Sequence, residues 1–229
     1  MSTFRTRSAA ALMSLLVLVL GLVAGSGPVR SADADPSAAG PTALDGFLAG
    51  LKNWRAQFTQ STLETSGKSV EQGAGTLVVS RPDRFRWEFT PLDAGAQLLI
   101  ADGRNLWFYD RELQQATVKS AAAALSATPI VLLSGTSAEL RSAFSVLASG
   151  EHDALRWVQV TPRLASADFA SAELGFRGGQ LSQLVIHDRL GQIITLRFTH
   201  SERNGRVADS ELRFVPPAGV DVIGTAQAP

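Results

Sequence analysis

Aromatic and charged residues alternate strictly along the segment R-F-R-W-E-F. Its aromatic members occupy every second position and its charged members lie between them: Phe85, Trp87 and Phe89 alternate with Arg84, Arg86 and Glu88. Successive side chains of a β-strand point to opposite faces. The pattern therefore predicts a strand with one aromatic and one charged face, typical of a sheet with an apolar and a wet side. A sandwich strand whose aromatic residues fill a core has the same pattern.

Further strand-like segments follow along most of the chain, separated by turns that contain Gly, Pro, Asn or Asp. The first covers Trp54–Thr65 and the last Arg206–Val215. Asp102-Gly103 is a strong signal for a tight hairpin. We predict about eleven consecutive antiparallel strands.

Helical patterns precede and interrupt these strands. Thr42 is placed to cap a helix that begins at Ala43 and carries an apolar stripe made of Leu44, Phe47, Leu48 and Leu51. Three short, largely apolar helical segments are predicted in the middle of the chain, at Ser120–Leu125, Thr128–Leu133 and Ser137–Ala143. Because they lie between strands, we expect them to cover one face of the sheet.

A closed barrel of eight strands has room for its own side chains or one small ligand. About eleven strands curved around helices leave more space. The sheet is then either a larger closed can or an unclosed half-barrel with the helices as its lid. A helical lid over an aromatic face favours a carrier of hydrophobic ligands.

The N-terminus has the features of a secretory signal. Arg5 and Arg7 precede an apolar run from Ala9 to Ala24, and small residues suited to cleavage follow. We predict a signal peptide at residues 1–34, a linker at 35–41 and one domain at 42–224. The alternative is an uncleaved anchor, although the run is short for a membrane span of about 20 residues.

Composition excludes several classes of protein. The chain has no cysteine, which excludes disulfides, cysteine-based metal sites and an acylated N-terminal cysteine. The predicted mature chain has 18 basic and 20 acidic residues, so it lacks the basic excess of nucleic-acid binding proteins. We expect a monomer that binds no nucleic acid.

Residues that indicate catalysis or metal binding are not grouped. The three histidines, His152, His187 and His200, are scattered and have no second ligand at metal spacing. No serine elbow, zinc-protease motif, phosphate loop or cysteine nucleophile occurs. We expect no enzymatic activity, no metal and no cofactor.

Several motifs occur in an order that resembles the LolA family of periplasmic lipoprotein carriers. The motifs, which span roughly residues 42 to 223, are F-x-Q at Phe58–Gln60, R-P-x-x-F-x-W at Arg81–Trp87, L-I-A-D-G-R-N-L-W-F-Y-D at Leu99–Asp110, Q-Q-A-T at 114–117, T-P-I-V-L-L at Thr128–Leu133 and F-V-P-P-A-G-V at Phe214–Val220.

The resemblance implies a fold and a role. The fold is mainly β with a helical lid (α+β), an unclosed antiparallel half-barrel of about 11 strands over a hydrophobic cavity. The role is a periplasmic chaperone that binds the acyl chains of lipoproteins released from the inner membrane. Its implied partners are acylated lipoproteins, an inner-membrane ABC transporter complex and an outer-membrane receptor.

Two sets of site residues follow. We expect the cavity lining to comprise Leu77, Val79, Phe85, Trp87, Phe89, Leu98, Ile100 and Trp107 from the sheet, with Ile130, Leu132 and Leu133 from the lid. Arg81 matches the arginine that opens the R-P-x-x-F-x-W motif, where the resemblance implies a latch that holds the lid closed. A solvated arginine at a strand end is the alternative.

Three other functions stay open at this stage. A carrier of another envelope lipid, a glycolipid or a phospholipid, would have the same fold. An enzyme acting on an envelope lipid or polymer would need a site that the sequence does not contain. A structural or sensor domain would be supported by a second domain or a long extension.

Overall fold

The computed structural model describes residues 42–121, 130–164, 167 and 169–227. The predicted signal peptide and the whole predicted linker lie outside this range, as do Thr128 and most of the alanine-rich segment. Within the described residues, no helix has the length and apolar character needed to cross a bilayer.

The described chain contains twelve strands and three short α-helices. The strands are β1 Asn53–Leu63, β2 Ser69–Ser80, β3 Arg84–Pro91, β4 Gln97–Asp102, β5 Asn105–Asp110, β6 Gln115–Ser120, β7 Phe144–His152, β8 Leu155–Pro162, β9 Phe169–Arg177, β10 Gln180–Asp188, β11 Ile193–Arg203 and β12 Asp221–Ile223. The helices are α1 Ala43–Leu48, α2 Val131–Ser134 and α3 Ser137–Ala143, and a 3₁₀ helix covers Asp209–Leu212.

All twelve strands belong to one sheet, in the order β12-β6-β5-β4-β3-β2-β1-β11-β10-β9-β8-β7. Neighbours are antiparallel except for β12 and β6, which run parallel. The two edges, β12 and β7, do not pair with each other, so the sheet is unclosed. This confirms the predicted open half-barrel with few helices and excludes the closed can.

The strand register divides the side chains between two faces. Directly paired residues share a face, and Trp54, Val79, Phe85 and Ala101 pair in succession across β1 to β4. We call this the inner face, because Phe47 of α1 packs edge-on against Trp54 with ring centroids 5.6 Å apart. The other side is the outer face.

The prediction of a strand at Arg206–Val215 was wrong. This segment contains the 3₁₀ helix, which packs against β3 and β4. Phe214 and Val220 pack against a buried cluster of Trp107, Ala116 and Val118. We call residues 206–227 the C-terminal strap, because they cover the outer face of this half of the sheet and end with β12 paired to β6.

Helix α1 begins at the predicted cap. The Thr42 hydroxyl accepts a hydrogen bond from the Asp45 amide, and the Asp45 carboxylate accepts one from the Thr42 amide. Such reciprocal capping satisfies two amides at the start of the helix. The helix buries Leu44, Phe47 and Leu48. Leu51, which was predicted in the same helix, is buried but lies beyond its end.

Candidate functional site

Three aromatic rings form a stack on the inner face. Phe58 lies nearly parallel to Trp87, with 5.7 Å between ring centroids and 11° between planes. Phe89 lies 6.2 Å from Phe58 and 5.2 Å from Trp87. None of the three is more than 5% exposed. We call them the aromatic stack.

Glycines on β2 make room for these rings. A Cβ at Gly75 would lie 2.5 Å from Cζ of Phe58, and one at Gly73 would lie 2.6 Å from Cε2 of Phe89. Each Cβ would also lie still closer to a backbone carbonyl oxygen of β3, that of Glu88 at Gly75 and that of Thr90 at Gly73, so neither position accepts a side chain unless both the rings and the strand move. Gly75 pairs with both Phe58 and Phe89 across its neighbouring strands. The gap left by its missing side chain lets the two rings meet.

Other predicted lining residues of β2 and β3 extend the stack along the same face. Leu77 pairs with Trp87 and Val79 pairs with Phe85. All of these side chains are buried. On this part of the inner face the predicted residues therefore form one continuous apolar surface.

Three residues predicted to line the cavity do not belong to that surface: Leu98, Ile100 and Trp107. The prediction was wrong for them. Ile100 pairs with both Arg86 and Trp107, so all three lie on the outer face. Leu98 pairs with Glu88, on the same side. The Trp107 ring lies 5.3 Å from that of Phe214. These residues form a second core under the C-terminal strap.

The predicted lid residues lie on and beside α2. This helix packs against β2, and Leu132 and Leu133 are buried. Ile130 is half-buried one residue before the helix begins. Among the described residues, α2 therefore covers part of β2.

Arg81 connects two covering segments to the end of β2. Its guanidinium donates through Nη1 to the carbonyl oxygens of Leu48 (3.0 Å) and Leu51 (3.4 Å), at the end of α1. Through Nη2 it donates to the carbonyl oxygen of Gly135 (2.7 Å), just after α2. The planar, multi-donor guanidinium suits this task, because one lysine ammonium would not span both sites in the same geometry.

Backbone bonds from the same turn reinforce these contacts. The Arg81 amide donates to the Lys52 carbonyl oxygen at 2.8 Å, and the Asp83 amide donates to the Ser134 carbonyl oxygen at 3.2 Å. Asp83 has a φ of +58°, a left-handed conformation that Asp adopts more readily than most residues. The turn after β2 therefore binds both α1 and α2.

Two carboxylates, those of Asp83 and Glu139, influence the pKa of the Arg81 guanidinium. Burial raises the pKa of Asp83, the Glu139 charge raises it further, and Arg81 opposes both. Hydrogen bonds from Thr136 lower the pKa of Glu139, with a smaller contribution from Arg81. Burial lowers the pKa of Arg81 while both carboxylates favour its charged form. The described hydrogen bonds of the Arg81 guanidinium thus go to backbone carbonyl oxygens.

The covering helices are also bound to each other and to β11. Arg141 of α3 donates to Asp45 of α1, with 2.6 Å between Nη2 and Oδ1. Arg203 lies over the Phe47 ring, 5.2 Å from its centroid, and donates to the Ala49 carbonyl oxygen at 3.2 Å. Helix α1 is consequently anchored to the sheet by contacts that do not involve Arg81.

The inner face is filled by its own side chains. Phe85 and Phe89 are completely buried, and the rings of the aromatic stack occupy the space in front of β2. A cleft of about 330 Å³ lies elsewhere, beside α1, and its lining includes Arg156, Arg203 and the Gly178-Gly179 turn. Among the described residues, the inner-face side chains of β2 and β3 that were predicted to line a cavity pack against one another.

Sequence analysis missed Phe58 as a member of the site. Phe58 belongs to the F-x-Q motif, but its position also carries a local signal. Trp54, Ala56 and Phe58 alternate with polar residues in the same way as the aromatic residues of β3. Among the described residues, no three His, Cys, Asp or Glu side chains are grouped as metal ligands.

Known proteins resemble this chain over most of its length. A family model described as outer membrane lipoprotein carrier protein LolA matches residues 49–215. A protein of Dechloromonas aromatica named outer-membrane lipoprotein carrier protein is 36% identical over 181 residues, which cover 79% of this chain and 86% of the relative. A protein of the same name from Methylibium petroleiphilum is 38% identical over 181 residues, covering 79% and 87%.

One solved structure supports the fold. An uncharacterized conserved protein from Thermus thermophilus superposes with a TM-score of 0.52 at 16% identity, covering 79% of this chain and 96% of that one. At this identity the likeness bears on the fold alone.

Proposed function

The chain belongs to the LolA family of outer membrane lipoprotein carrier proteins, and on that basis we propose that it binds the acyl chains of lipoproteins with its inner face. The observation that supports this most strongly is the aromatic stack, a continuous apolar surface covered by short helices. The family name describes a carrier, and the proposal assigns no chemical step to any residue.

Apolar burial supplies the driving force for such binding. Each methylene of an acyl chain gains about 0.8 kcal/mol when it leaves water. A carrier must offer a matching apolar area, worth about 25 cal/mol per Å². The inner face offers Leu77, Val79, Phe85 and the aromatic stack, with Leu132 and Leu133 on the lid side.

We propose that α2 moves to admit the acyl chains. The helix has only four residues, too few to be stable without tertiary contacts. Its described polar attachments to the turn after β2 are the bonds from Arg81 to Gly135 and from Asp83 to Ser134. Arg81 is then the lid latch: breaking its bonds opens the inner face, and remaking them favours release.

Location and partners complete the proposal. The predicted secretory signal and the family both support a location in the periplasm. It would receive lipoproteins from an ABC transporter complex of the inner membrane and deliver them to a receptor in the outer membrane. Because ATP hydrolysis belongs to the transporter, the carrier itself needs only to open, bind and close.

The decisive experiment compares two forms of one lipoprotein. The tagged protein, purified from periplasm, is incubated with the acylated lipoprotein or with a version whose acylated cysteine is replaced by alanine. We expect the acylated form alone to co-purify, at a ratio near one to one. Equal recovery of both forms would show that the carrier recognises protein rather than lipid and would contradict the proposal.

A charged substitution tests the assignment of the inner face. Trp87→Glu puts a carboxylate beside Phe58 and Phe89, where an acyl chain would have to pack, and burying an unpaired charge is very unfavourable. We expect capture of the acylated lipoprotein to fall below detection. Ala74→Glu, on the opposite face of β2 where Ala74 is exposed and pairs with Thr90, is the matched control and should leave capture unchanged. Normal capture by a folded Trp87→Glu protein would exclude this surface as the site.

The same preparation distinguishes the alternative cargo. Mass spectrometry of lipids extracted from the periplasmic protein reports what it carries in the cell. Stoichiometric phospholipid or glycolipid without acylated lipoprotein would keep the fold and assign the function to another envelope lipid.

A further inference from the structure

A buried amide lies on the inner face beside the aromatic stack. Gln97, the first residue of β4, pairs with Phe89 of β3 on one side and with Asp110 of β5 on the other. It is 5% exposed, and its side-chain oxygen Oε1 accepts no hydrogen bond from the described residues. Nearly all buried polar groups in proteins have a hydrogen-bond partner. This oxygen is therefore an acceptor that the described part of the protein leaves available.

The neighbours of Gln97 on the inner face do not supply a donor. Phe89 and Leu99, the latter two residues further along β4, have no polar side-chain group. The Asp110 carboxylate accepts hydrogen bonds from two amides of the turn after β5, and an ionised carboxylate does not donate. A donor for Oε1 of Gln97 therefore has to belong to a group that packs onto the inner face from above.

The buried glutamine on the other side of the aromatic stack does have a partner. Gln60 of β1 pairs with Gly73 on the inner face and is 7% exposed. Its Nε2 donates to Oε2 of Glu71 at 3.1 Å. The two amides thus differ, because that of Gln60 is bonded within the protein and Oε1 of Gln97 is not.

The inner face is partly uncovered next to Gln97. Leu99 pairs with Trp87 on one side and with Phe108 on the other, so all three lie on the inner face. Leu99 and Phe108 are half-buried, whereas Trp87 is 5% exposed. An acyl chain that leaves the aromatic stack over Leu99 and Phe108 lies directly beside Gln97.

The chemistry of an acylated cysteine determines which of its groups suits this oxygen. Ester oxygens and a thioether sulfur accept hydrogen bonds but do not donate them. The cysteine nitrogen carries hydrogen, as an amide N–H when it is acylated and as an ammonium when it is not. Burying a neutral amide in an apolar site costs much less than burying a charge, so the amide suits a site beside Phe89 better.

We propose that Oε1 of Gln97 accepts a hydrogen bond from the amide N–H of an N-acylated cysteine in the cargo. Gln97 is then a specificity-determining residue, since it favours a lipid whose acyl chains meet at an N–H donor. Gln97 and Phe89 lie at the end of β3 and β4 away from Arg81, so the polar end of the lipid lies opposite the latch. This inference rests on the proposed function and adds the polar group that the carrier recognises.

Three synthetic lipopeptides test the hydrogen bond. They share one peptide and the same two ester-linked octanoyl chains, and they differ only at the cysteine nitrogen. This nitrogen is acetylated, acetylated and methylated, or a free amine. Titration calorimetry with the purified protein gives the three dissociation constants. We expect the acetylated form to bind about tenfold more tightly than the methylated form, which has no N–H, because a buried acceptor without a donor is unfavourable.

A matched pair of variants assigns the preference to Gln97. Gln97→Leu keeps a side chain of similar size without the acceptor, and should bind the acetylated and methylated forms equally. Gln57→Leu is the control, at an exposed position on the outer face of β1 that pairs with Thr76, and should keep the preference of about tenfold. The comparison is a double-mutant cycle, which isolates the contact between Gln97 and the N–H.

Unfolding of the ligand-free protein gives an independent readout. Replacing a buried, unpaired polar group by an apolar one of similar shape is neutral or stabilising. The urea midpoint of Gln97→Leu should therefore equal or exceed that of the unaltered protein. A clearly lower midpoint would show that the Gln97 amide is already satisfied, for example by a buried water, and would overturn the inference.

The binding results separate this inference from the proposed function. Equal binding of the acetylated and methylated forms by the unaltered protein would overturn the inference alone, as would an unchanged preference in Gln97→Leu. Tighter binding of the free amine than of the acetylated form would assign the site to an ammonium and exclude the amide. Binding of none of the three lipopeptides would contradict the proposed function, and this inference with it.

Discussion

At the scale of single residues, the aromatic stack depends on positions that carry no side chain at all. Phe58, Trp87 and Phe89 meet in front of β2 because Gly75 has no Cβ to separate them. Glycine in a strand normally weakens it, and often marks a place where other groups approach closely. Here those groups are the rings that form the proposed binding surface.

Substitution of Gly75 should be far more damaging than substitution of a glycine in open space. Gly75→Val would place atoms against the Phe58 ring and the Glu88 carbonyl oxygen, and we expect the free energy of unfolding to fall by about 2–3 kcal/mol. Gly46→Ala in α1 meets nothing within 4 Å and should raise it by about 0.5–1 kcal/mol. Urea unfolding of both variants measures the difference. A Gly75→Val protein as stable as the unaltered protein would show that the rings and the neighbouring strand adjust easily.

At the scale of elements, the covering helices are short and rely on contacts from outside themselves. Helix α1 has six residues, α2 four and α3 seven, all below the length at which an isolated helix is stable. Capping boxes at Thr42 and Thr136 define the starts of α1 and α3. The turn after β2 binds the end of α2, and the Arg141–Asp45 pair joins α3 to α1.

Removing the Arg81 guanidinium should open the lid without unfolding the sheet. Arg81→Leu loses the bonds to Leu48, Leu51 and Gly135. We expect amide hydrogen exchange around 132–136 to accelerate by about tenfold or more, with little change in β9 and β10. Handover of bound lipoprotein to the receptor should slow.

Arg84→Leu, which loses an exposed contact with Asp209, is the control. It should leave amide hydrogen exchange around 132–136 and handover of lipoprotein unchanged. Unaltered exchange and handover in Arg81→Leu would show that Arg81 is not a latch.

The carboxylate of Asp45 makes the attachment of α1 dependent on pH. Burial raises its pKa, but hydrogen bonds from Thr42 and the charge of Arg141 outweigh burial, and the net pKa is lowered from 3.8. Because the pKa is lower in the folded state, its contribution to stability is present above pH 3.8 and is lost as the pH falls through the folded value.

Neutralising Asp45 should therefore matter at neutral pH and much less in acid. We expect Asp45→Asn to lower the free energy of unfolding by about 0.5–1 kcal/mol at pH 7, a modest value because the pair is partly exposed. The difference from the unaltered protein should shrink below pH 3.8. Asp93→Asn, in an exposed turn, serves as control. A difference that stays constant down to pH 2.5 would show that the Asp45 charge has no role.

At the scale of the whole molecule, one sheet supports two separate cores. The inner core contains the aromatic stack under α1 and α2, and the outer core contains Trp107 and Val118 under the C-terminal strap. Both cores use residues of the same strands, since alternate side chains of a strand point to opposite faces. Lipid binding is proposed for the inner face alone, so a change confined to the outer core should affect stability without affecting cargo.

A substitution in the outer core should lower the free energy of unfolding without changing the capture of lipoprotein. Phe214→Ala removes a partly buried ring that packs on Trp107 and Tyr109, and we expect it to lower the free energy of unfolding by about 2 kcal/mol, less than for a fully buried phenylalanine. Capture of acylated lipoprotein should be unchanged at temperatures where the variant is folded. Loss of capture by the folded protein would show that the outer core contributes to the site.

Local patterns in the sequence are sufficient for much of the fold. Alternation over Arg84–Phe89 predicted all but the last two residues of the strand Arg84–Pro91, and a capping threonine followed by an apolar stripe predicted the start of α1. Both signals involve neighbours within a few residues. Arg206–Val215 was mistaken for a strand, because a segment that lies flat on an apolar surface alternates in the same way as a strand paired by hydrogen bonds.

The sequence by itself determined the mainly antiparallel strands, the covering helices and the family, because each is encoded by residue order along the chain. Only the tertiary structure decided which face each residue occupies. The register across β2 to β5 places Phe85 and Trp87 inside but Ile100 and Trp107 outside. Shifting a strand by one residue exchanges its two faces, and nothing within a strand records that shift. The register is fixed by hydrogen-bonded pairing between strands, which brings together residues that are distant in sequence.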